Sequence, residues 1–377
     1  MRSWGVASIL VFALVGHRAV AEPIDVSATT ATGDTSIDTQ SLGYGALPGG
    51  LRAASAETLP AGTFGFGAIG GYGTRRALLS PDHKLDSGIG DLALSYAPIN
   101  AITLALSFDG RIDRHQGRLP KVDMAYVGGP HLLARIATSF GRIRIGGQLG
   151  VYLPGQEAPS IVPEATTVDV RGLLSIKAGA STVSVGVGFR YDNTAKSAKS
   201  AAVPDPMMFR ADIAAEDRVS LGISDFDAVI AGLHVVVPIG RVFVGLETSA
   251  DVFVGSGALG PILRAGGNVG IHLGAGWSAY AFAQAAHVPS IDYNDVDAAT
   301  AKLIPYEPTV TTGVGVTGVL GGRAKSTRHI AEPVLGAKSA QPDKIKPLES
   351  TTQAVVVGSV PRAVRACSAS AKCMAIP

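Results

Sequence analysis

From residue 61 to residue 321 the chain alternates. Apolar side chains keep one parity, while polar, charged and glycine residues keep the other, in short segments bounded by Gly, Pro and Asn. Period two is the signature of a strand with two unlike faces. Phe64, Phe66, Ala68 and Tyr72 open the series, and Leu92, Leu94 and Tyr96 then oppose Asp91 and Ser95. Next, Ile102, Leu104, Leu106 and Phe108 oppose Thr103, Ser107 and Asp109, and Leu132, Ala134 and Ile136 oppose Arg135. Ile143, Ile145, Leu149 and Val151 oppose Arg144 and Gln148; Val168, Val170, Leu174 and Ile176 oppose Asp169, Arg171, Ser175 and Lys177. Val183, Val185, Val187 and Phe189 face away from Ser184 and Arg190, and Val229, Leu233, Val235 and Val237 from His234. The last third sets Val242, Val244 and Leu246 against Glu247 and Asp251, and Leu263, Val269, Ile271 and Leu273 against Arg264, Asn268 and His272. Val310, Val314, Val316 and Leu320 close the series against threonines, while 277–286 is ambiguous, because Tyr280 and Phe282 share the parity of Gln284.

Connection lengths separate the two architectures that such strands can build. A soluble sandwich buries its apolar face, whereas a transmembrane barrel turns it to lipid. Short breaks at 98–100, 139–142, 179–182, 238–241 and 274–276 alternate with long ones at 74–87, 110–128, 154–166, 192–226, 255–261 and 288–307. That lacing predicts an all-β chain: a transmembrane antiparallel up-and-down β-barrel of about 12 strands, with short periplasmic turns and long outer loops. Val219, Leu221 and Ile223 keep the parity of the following strand, so 203–226 is either a strand extension or a further hairpin that raises the count to 14. Tyr72, Tyr96, Phe140, Tyr152, Tyr191, Phe253 and Trp277 lie near segment ends, as an interfacial aromatic girdle requires.

The flanks differ from the alternating region. Residues 1–21 read as a signal peptide, with Arg2, an apolar run from Val6 to Gly16, and Ala19-Val20-Ala21 before a mature start at Glu22. Residues 22–60 lack periodicity and are expected to form a flexible periplasmic lead; 61–321 is the barrel, and 322–377 a basic, mostly disordered periplasmic tail. The tail holds nine Lys or Arg against Glu332, Asp343 and Glu349, a balance that suits a solvated segment or contact with an anionic periplasmic polymer or lipid. Cys367 and Cys373, the two cysteines of the chain, suit a small-loop disulfide in an oxidising compartment. The implied location is the outer membrane of a Gram-negative bacterium, with both termini periplasmic. Its expected partners are the lipid bilayer with its lipopolysaccharide and the barrel-assembly machinery.

Composition narrows the chemistry. Glycine is 47 of 377 residues and net charge is +2, so neither helical spans nor nucleic-acid binding is expected. Three G-x-G-x-x-G matches begin at Gly65, Gly255 and Gly313, but none opens a helix, which a dinucleotide site needs. Asp292, Asp295 and Asp297 could approach calcium, though without EF-hand spacing. His83, His115, His131, His234, His272 and His287 show no metal-ligand spacing and read as loop or lumen residues. No cofactor, metal or catalytic residue is assigned.

The order Leu59-Pro60-Ala61-Gly62-Thr63-Phe64, Gly128-Gly129-Pro130-His131-Leu132, Val151-Tyr152-Leu153-Pro154-Gly155 and Gly257-Ala258-Leu259-Gly260-Pro261 resembles the amino-terminal barrel of OmpA-family outer-membrane proteins over about residues 55–321. The peptidoglycan-binding domain that commonly follows that barrel is not expected in the tail, where nothing matches its helical Asp/Arg pattern.

Three functions fit these features. A porin-like passive channel for small solutes or ions would be lined by Asp91, Asp109, Arg135, Arg144, Asp169, Arg171, Lys177, Arg190, Glu247, Asp251, Arg264 and His272. In that reading Arg144, Arg171, Lys177 and Arg190 make a basic wall opposed by Asp91, Asp109, Glu247 and Asp251. A structural barrel would instead pair the same charges across a filled interior, and 12 strands fall between the filled and the open sizes. A barrel enzyme would need a nucleophile with a base and an orienting partner at one rim, and no such set stands out.

Overall fold

The computed structural model describes residues 42–117, 122–155, 161–290 and 300–321, with backbone alone at 122–127. Among these, twelve antiparallel strands close on themselves: β1 (Thr63–Arg76), β2 (Lys84–Ile99), β3 (Ile102–Gln116), β4 (Val122–Phe140), β5 (Ile143–Tyr152), β6 (Thr167–Ala178), β7 (Ser181–Tyr191), β8 (Asp227–Ile239), β9 (Val242–Val254), β10 (Ile262–Gly274), β11 (Trp277–His287) and β12 (Val310–Gly321). Each strand pairs with its neighbours in sequence. β1 and β12 seal the cylinder from Thr63 opposite Gly321 to Thr74 opposite Val310. Closure leaves no ladder edge unpaired.

The five turns at one end hold two residues each. Gly141, Gly179 and Gly240 open three of these turns with φ of 58°, 64° and 63°, the left-handed region that tight hairpins require. The connections at the other end are long. Apolar parity points outward, so Leu92, Val170, Val187, Leu246 and Val314 are each more than half exposed. Their inward neighbours Ser95, Thr103, Ser175, Ser184 and His234 are buried. An apolar exterior around a polar interior inverts the soluble sandwich and matches a barrel that spans a lipid bilayer.

Segment 203–226 forms neither a strand nor a hairpin. It holds two short helices, α1 (Pro206–Asp212) and α2 (Ala215–Ser220). Asp205 caps the first by accepting from the N–H groups of Met207 and Met208 at 2.8 and 3.0 Å, with Pro206 following where its missing N–H costs nothing. Val219, Leu221 and Ile223 owe their apolar character to a cluster with Leu78, Leu79, Leu85, Phe226, Phe253, Ile262, Leu303, Ile304 and Tyr306. This small core caps the long-loop end. Phe253 therefore belongs to the interior and not to a girdle, and Tyr152, which stacks on His131 at 4.1 Å, is also an inward residue. β11 is resolved the same way: Tyr280 and Phe282 point inward and are buried with Ile69 and Phe243.

Residues 42–60 depart from the flexible lead expected for 22–60. They form a folded loop inside the barrel, entering and leaving at the short-turn end. Leu42 and Leu59 pack with Ala46, Ala93 and Ala97 at that end. A disordered segment has no use for Leu42, Leu47, Leu51 and Leu59, and all four are buried here. The remainder of the lead, the signal peptide, the basic tail with Cys367 and Cys373, and the Asp292, Asp295 and Asp297 group lie outside the described residues.

Candidate functional site: the occupied lumen

Inward positions of the wall are of two kinds, small or polar, and the 42–60 segment uses both. Gly67 on β1 and Gly232 on β8 leave room for the plug alanines: a Cβ there would stand 3.4 Å from Cβ of Ala46 and 3.0 Å from Cβ of Ala53. The polar positions bind its main chain. Ser95 donates to the carbonyl of Ala46 at 2.8 Å, Thr103 accepts from the N–H of Leu59 at 3.0 Å, and Ser175 accepts from the N–H of Ala56 at 2.8 Å. Glu247 accepts from the N–H groups of Arg52 and Ala53 at 3.1 and 3.4 Å. Arg135 donates to the carbonyls of Pro48 and Glu57 at 2.6 and 3.1 Å and to Gln148. Side-chain pairs add to this, Arg144 with Glu57 and Arg52 with Glu307 at 3.7 Å. Backbone that joins no ladder must find partners elsewhere, and here the wall supplies them.

Above this plug and below the loop cap lies an internal cavity of about 380 Å³. Its lining combines plug residues such as Tyr44 and Arg52 with charges of both signs from the wall. Most of those charges are paired. Arg171 meets Asp169 at 3.0 Å, Arg190 meets Asp251 at 3.5 Å, and Arg264 bridges Asp251 at 3.1 Å and Glu307 at 2.7 Å. Burial alone would push the Glu307 carboxyl up, but the guanidiniums of Arg264 and Arg52 bring it down, to about 2.

The anticipated lumen residues thus take different places. Asp91, Asp109, Arg135, Asp169, Arg171, Arg190, Asp251 and Arg264 all line the cavity. Arg144 and Glu247 are engaged by the plug. His272 contacts Ser278 at 2.8 Å near the short-turn end, and Lys177 is exposed at that end. The expected basic wall is not a field of free positive charge, because Arg144, Arg171 and Arg190 each hold a carboxylate. Glu57 and Glu307 escaped the sequence reading since both sit outside strands. The buried leucines of 42–60 were the available signal.

One further cluster joins residues far apart in sequence. At the long-loop end His83 Nε2 lies 3.0 Å from His115 Nδ1, His115 Nε2 lies 2.7 Å from Ser220 Oγ, and Ser220 donates to Asp113 at 2.7 Å. The hydroxyl proton is committed to Asp113, so His115 Nε2 is the donor toward Ser220 and no base faces that oxygen. All three of Ser220, His115 and His83 are buried. The arrangement pins α2 to the β3 rim; it does not present a nucleophile.

No protein-family model matches the chain, and no curated protein does, OmpA-family proteins included. Among solved structures, similarity is found to an outer membrane channel from Pseudomonas putida F1, with 13% identity and a TM-score of 0.44 over 70% of this chain and 98% of that one. The NanC porin gives 7% identity and a TM-score of 0.43 over 67% and 98% of the two chains. The KdgM porin gives 7% identity and a TM-score of 0.39 over 67% and 99%.

Proposed function

We propose that the chain is an outer-membrane channel for small polar solutes, held closed in this conformation by residues 42–60. The observation that carries this reading is the polar cavity of about 380 Å³ in the middle of the barrel. A barrel built only as a scaffold gains nothing from an unfilled, charge-lined interior, whereas a volume of roughly 300–1,000 Å³ is what a small-molecule site needs. The apolar exterior sets the barrel in the bilayer, and by the short-turn rule the two-residue turns and both termini face the periplasm. The plug then enters from the periplasmic side. It is held by hydrogen bonds and ion pairs together with apolar contacts of Leu42, Leu51, Ala54, Ala56 and Leu59 against the wall, and opening the pore breaks both kinds of contact.

A second reading, a filled structural barrel without transport, is favoured by the continuity of the plug's contacts with Ser95, Thr103, Arg135, Ser175 and Glu247. Planar-bilayer recording on the full chain and on a variant lacking residues 42–58 separates the two. The channel reading expects brief, small openings from the full chain and sustained conductance from the deletion, both proteins migrating as folded, heat-modifiable barrels on gels. A folded deletion variant that passes no current would leave the structural barrel as the answer.

A further inference from the structure

Two lumen carboxylates stand apart from the rest. Asp91 on β2 and Asp109 on β3 are direct cross-strand partners, both inward, and both line the cavity. Cross-strand side chains lie about 5 Å apart at their Cβ atoms, and like charges placed so repel each other. Asp113, Asp169, Asp251, Glu57 and Glu307 each hold an arginine. Among the described residues neither Asp91 nor Asp109 pairs with Lys or Arg. Asp109 has only His131 beside it, at 3.3 Å. The backbone N–H of Gly45 and the hydroxyl of Ser107 serve the Asp91 carboxylate. Yet Asp91, a residue of the cavity lining, is 3% exposed, and its buried Oδ1 accepts no hydrogen bond. A buried carboxylate oxygen without a donor, next to a second carboxylate that no Lys or Arg holds, is a costly arrangement unless something else fills it.

We propose that Asp91 and Asp109 form a binding subsite for the ammonium group of a small amine-bearing solute. Such a group brings a positive charge and three N–H donors, enough to serve the unpartnered Oδ1 of Asp91 and the carboxylate of Asp109 together. The stacked rings of His131 and Tyr152 line the same cavity and offer an apolar surface for the solute's carbon skeleton. A metal ion fits less well: no group of three or more His, Cys, Asp or Glu side chains is placed to hold one among the described residues, and hard divalent cations take six or more oxygen ligands. This subsite deepens the channel reading and rests on it only for the route by which the solute arrives.

Calorimetric titration of the detergent-purified full chain with ethylammonium, and with acetate as the control of opposite sign, tests the assignment. Ethylammonium should bind saturably, acetate should not, and Asp91→Asn with Asp109→Asn should weaken ethylammonium at least ten-fold. Asp109→Asn alone, at a half-exposed side chain, should weaken it with the barrel's heat-modifiable migration unchanged. Glu164→Gln, in an outer loop, should have no effect. The proposal is overturned if acetate binds as well, if the double variant retains full affinity, if calcium binds there and ethylammonium does not, or if neither the full chain nor the variant lacking 42–58 binds ethylammonium. Conductance without ethylammonium binding would remove this inference and leave the channel standing. Binding by a chain that never conducts would support the subsite and remove the channel.

Discussion

A side chain's parity on its strand decides whether it meets lipid or lumen, and the energetic difference between those fates is large. Val187, midway along β7, is 54% exposed on the outer face, while Ser249 on β9 faces the cavity. Val187→Arg is expected to destabilise the barrel by about 2–4 kcal/mol, the cost of arginine near the bilayer midplane. Ser249→Arg should cost less, since water and carboxylates await it, and unfolding titrations in lipid vesicles compare the two; equal losses would mean that the faces are misassigned. Parity was legible from the sequence at nearly every position with a charge, Asp91, Arg135, Asp169 and Arg264 among them. The girdle assignment failed at Tyr152 and Phe253, and the face of Tyr280 and Phe282 stayed open, because aromatic rings serve both an interfacial girdle and an interior packing role, and residue type cannot tell these apart. Glu307 was illegible for a different reason: it lies in a loop, and its partner Arg264 is 43 residues away. Its carboxyl is held below the ordinary value of 4.5 by Arg264 and Arg52 against the opposing effect of burial. A depressed folded value means stability that is present above about 4.5 and lost as pH falls toward 2. Glu307→Gln should therefore flatten the fall in unfolding midpoint between those two pH values, and an unchanged acid slope would show that this triad does not govern it.

At the scale of elements, the strands declared themselves and the plug did not, since periodicity marks only segments whose hydrogen bonds run in a ladder. The main chain of 42–60 bonds instead to side chains scattered over β2, β3, β4, β6 and β9, a pattern with no sequence period. The same holds for the cap, where Val219, Leu221 and Ile223 mimic a strand's parity while serving a helical loop core. Glu247 makes a sharp test of how the plug is held, because one carboxylate accepts two of its N–H groups. Hydrogen bonds to a charged group contribute about 1.5–3 kcal/mol each, and every 1.4 kcal/mol is about a factor of ten in population. Glu247→Ala should then raise the fraction of plug outside the barrel by ten-fold or more. Arg52 reports this directly: enclosed in the lumen, it is out of a protease's reach, so trypsin cuts after Arg52 only when the segment has left. Faster cleavage at Arg52 in the variant, with an intact barrel on the gel, is the expected result. Unchanged cleavage would assign the plug's retention to Arg135 and the apolar end contacts.

For the whole molecule the arrangement of charge predicts what an unplugged barrel would prefer to pass. Deleting residues 42–58 removes one base, Arg52, and one acid, Glu57, so net charge does not change. The local balance does. Arg135 loses the carbonyls of Pro48 and Glu57, Arg144 loses its carboxylate, and Glu247 loses two N–H donors. The pairs Asp169 with Arg171 and Arg190 with Asp251 and Arg264 lie wholly in the wall and remain. Uncompensated charge is then Asp91, Asp109 and Glu247 against Arg135 and Arg144, a net excess of one negative group. Fixed wall charge repels ions of its own sign, so the deletion variant should show a modest cation preference in its reversal potential under a KCl gradient. Adding Asp91→Asn and Asp109→Asn leaves two positive groups against one negative, and the reversal potential should cross to the anion side. Raising the salt should shrink both effects, since screening shortens to about 3 Å at 1 M. A deletion channel that favours anions from the start, or one indifferent to the aspartate pair, would mean that the paired arginines and not the unpaired carboxylates set the field along the pore.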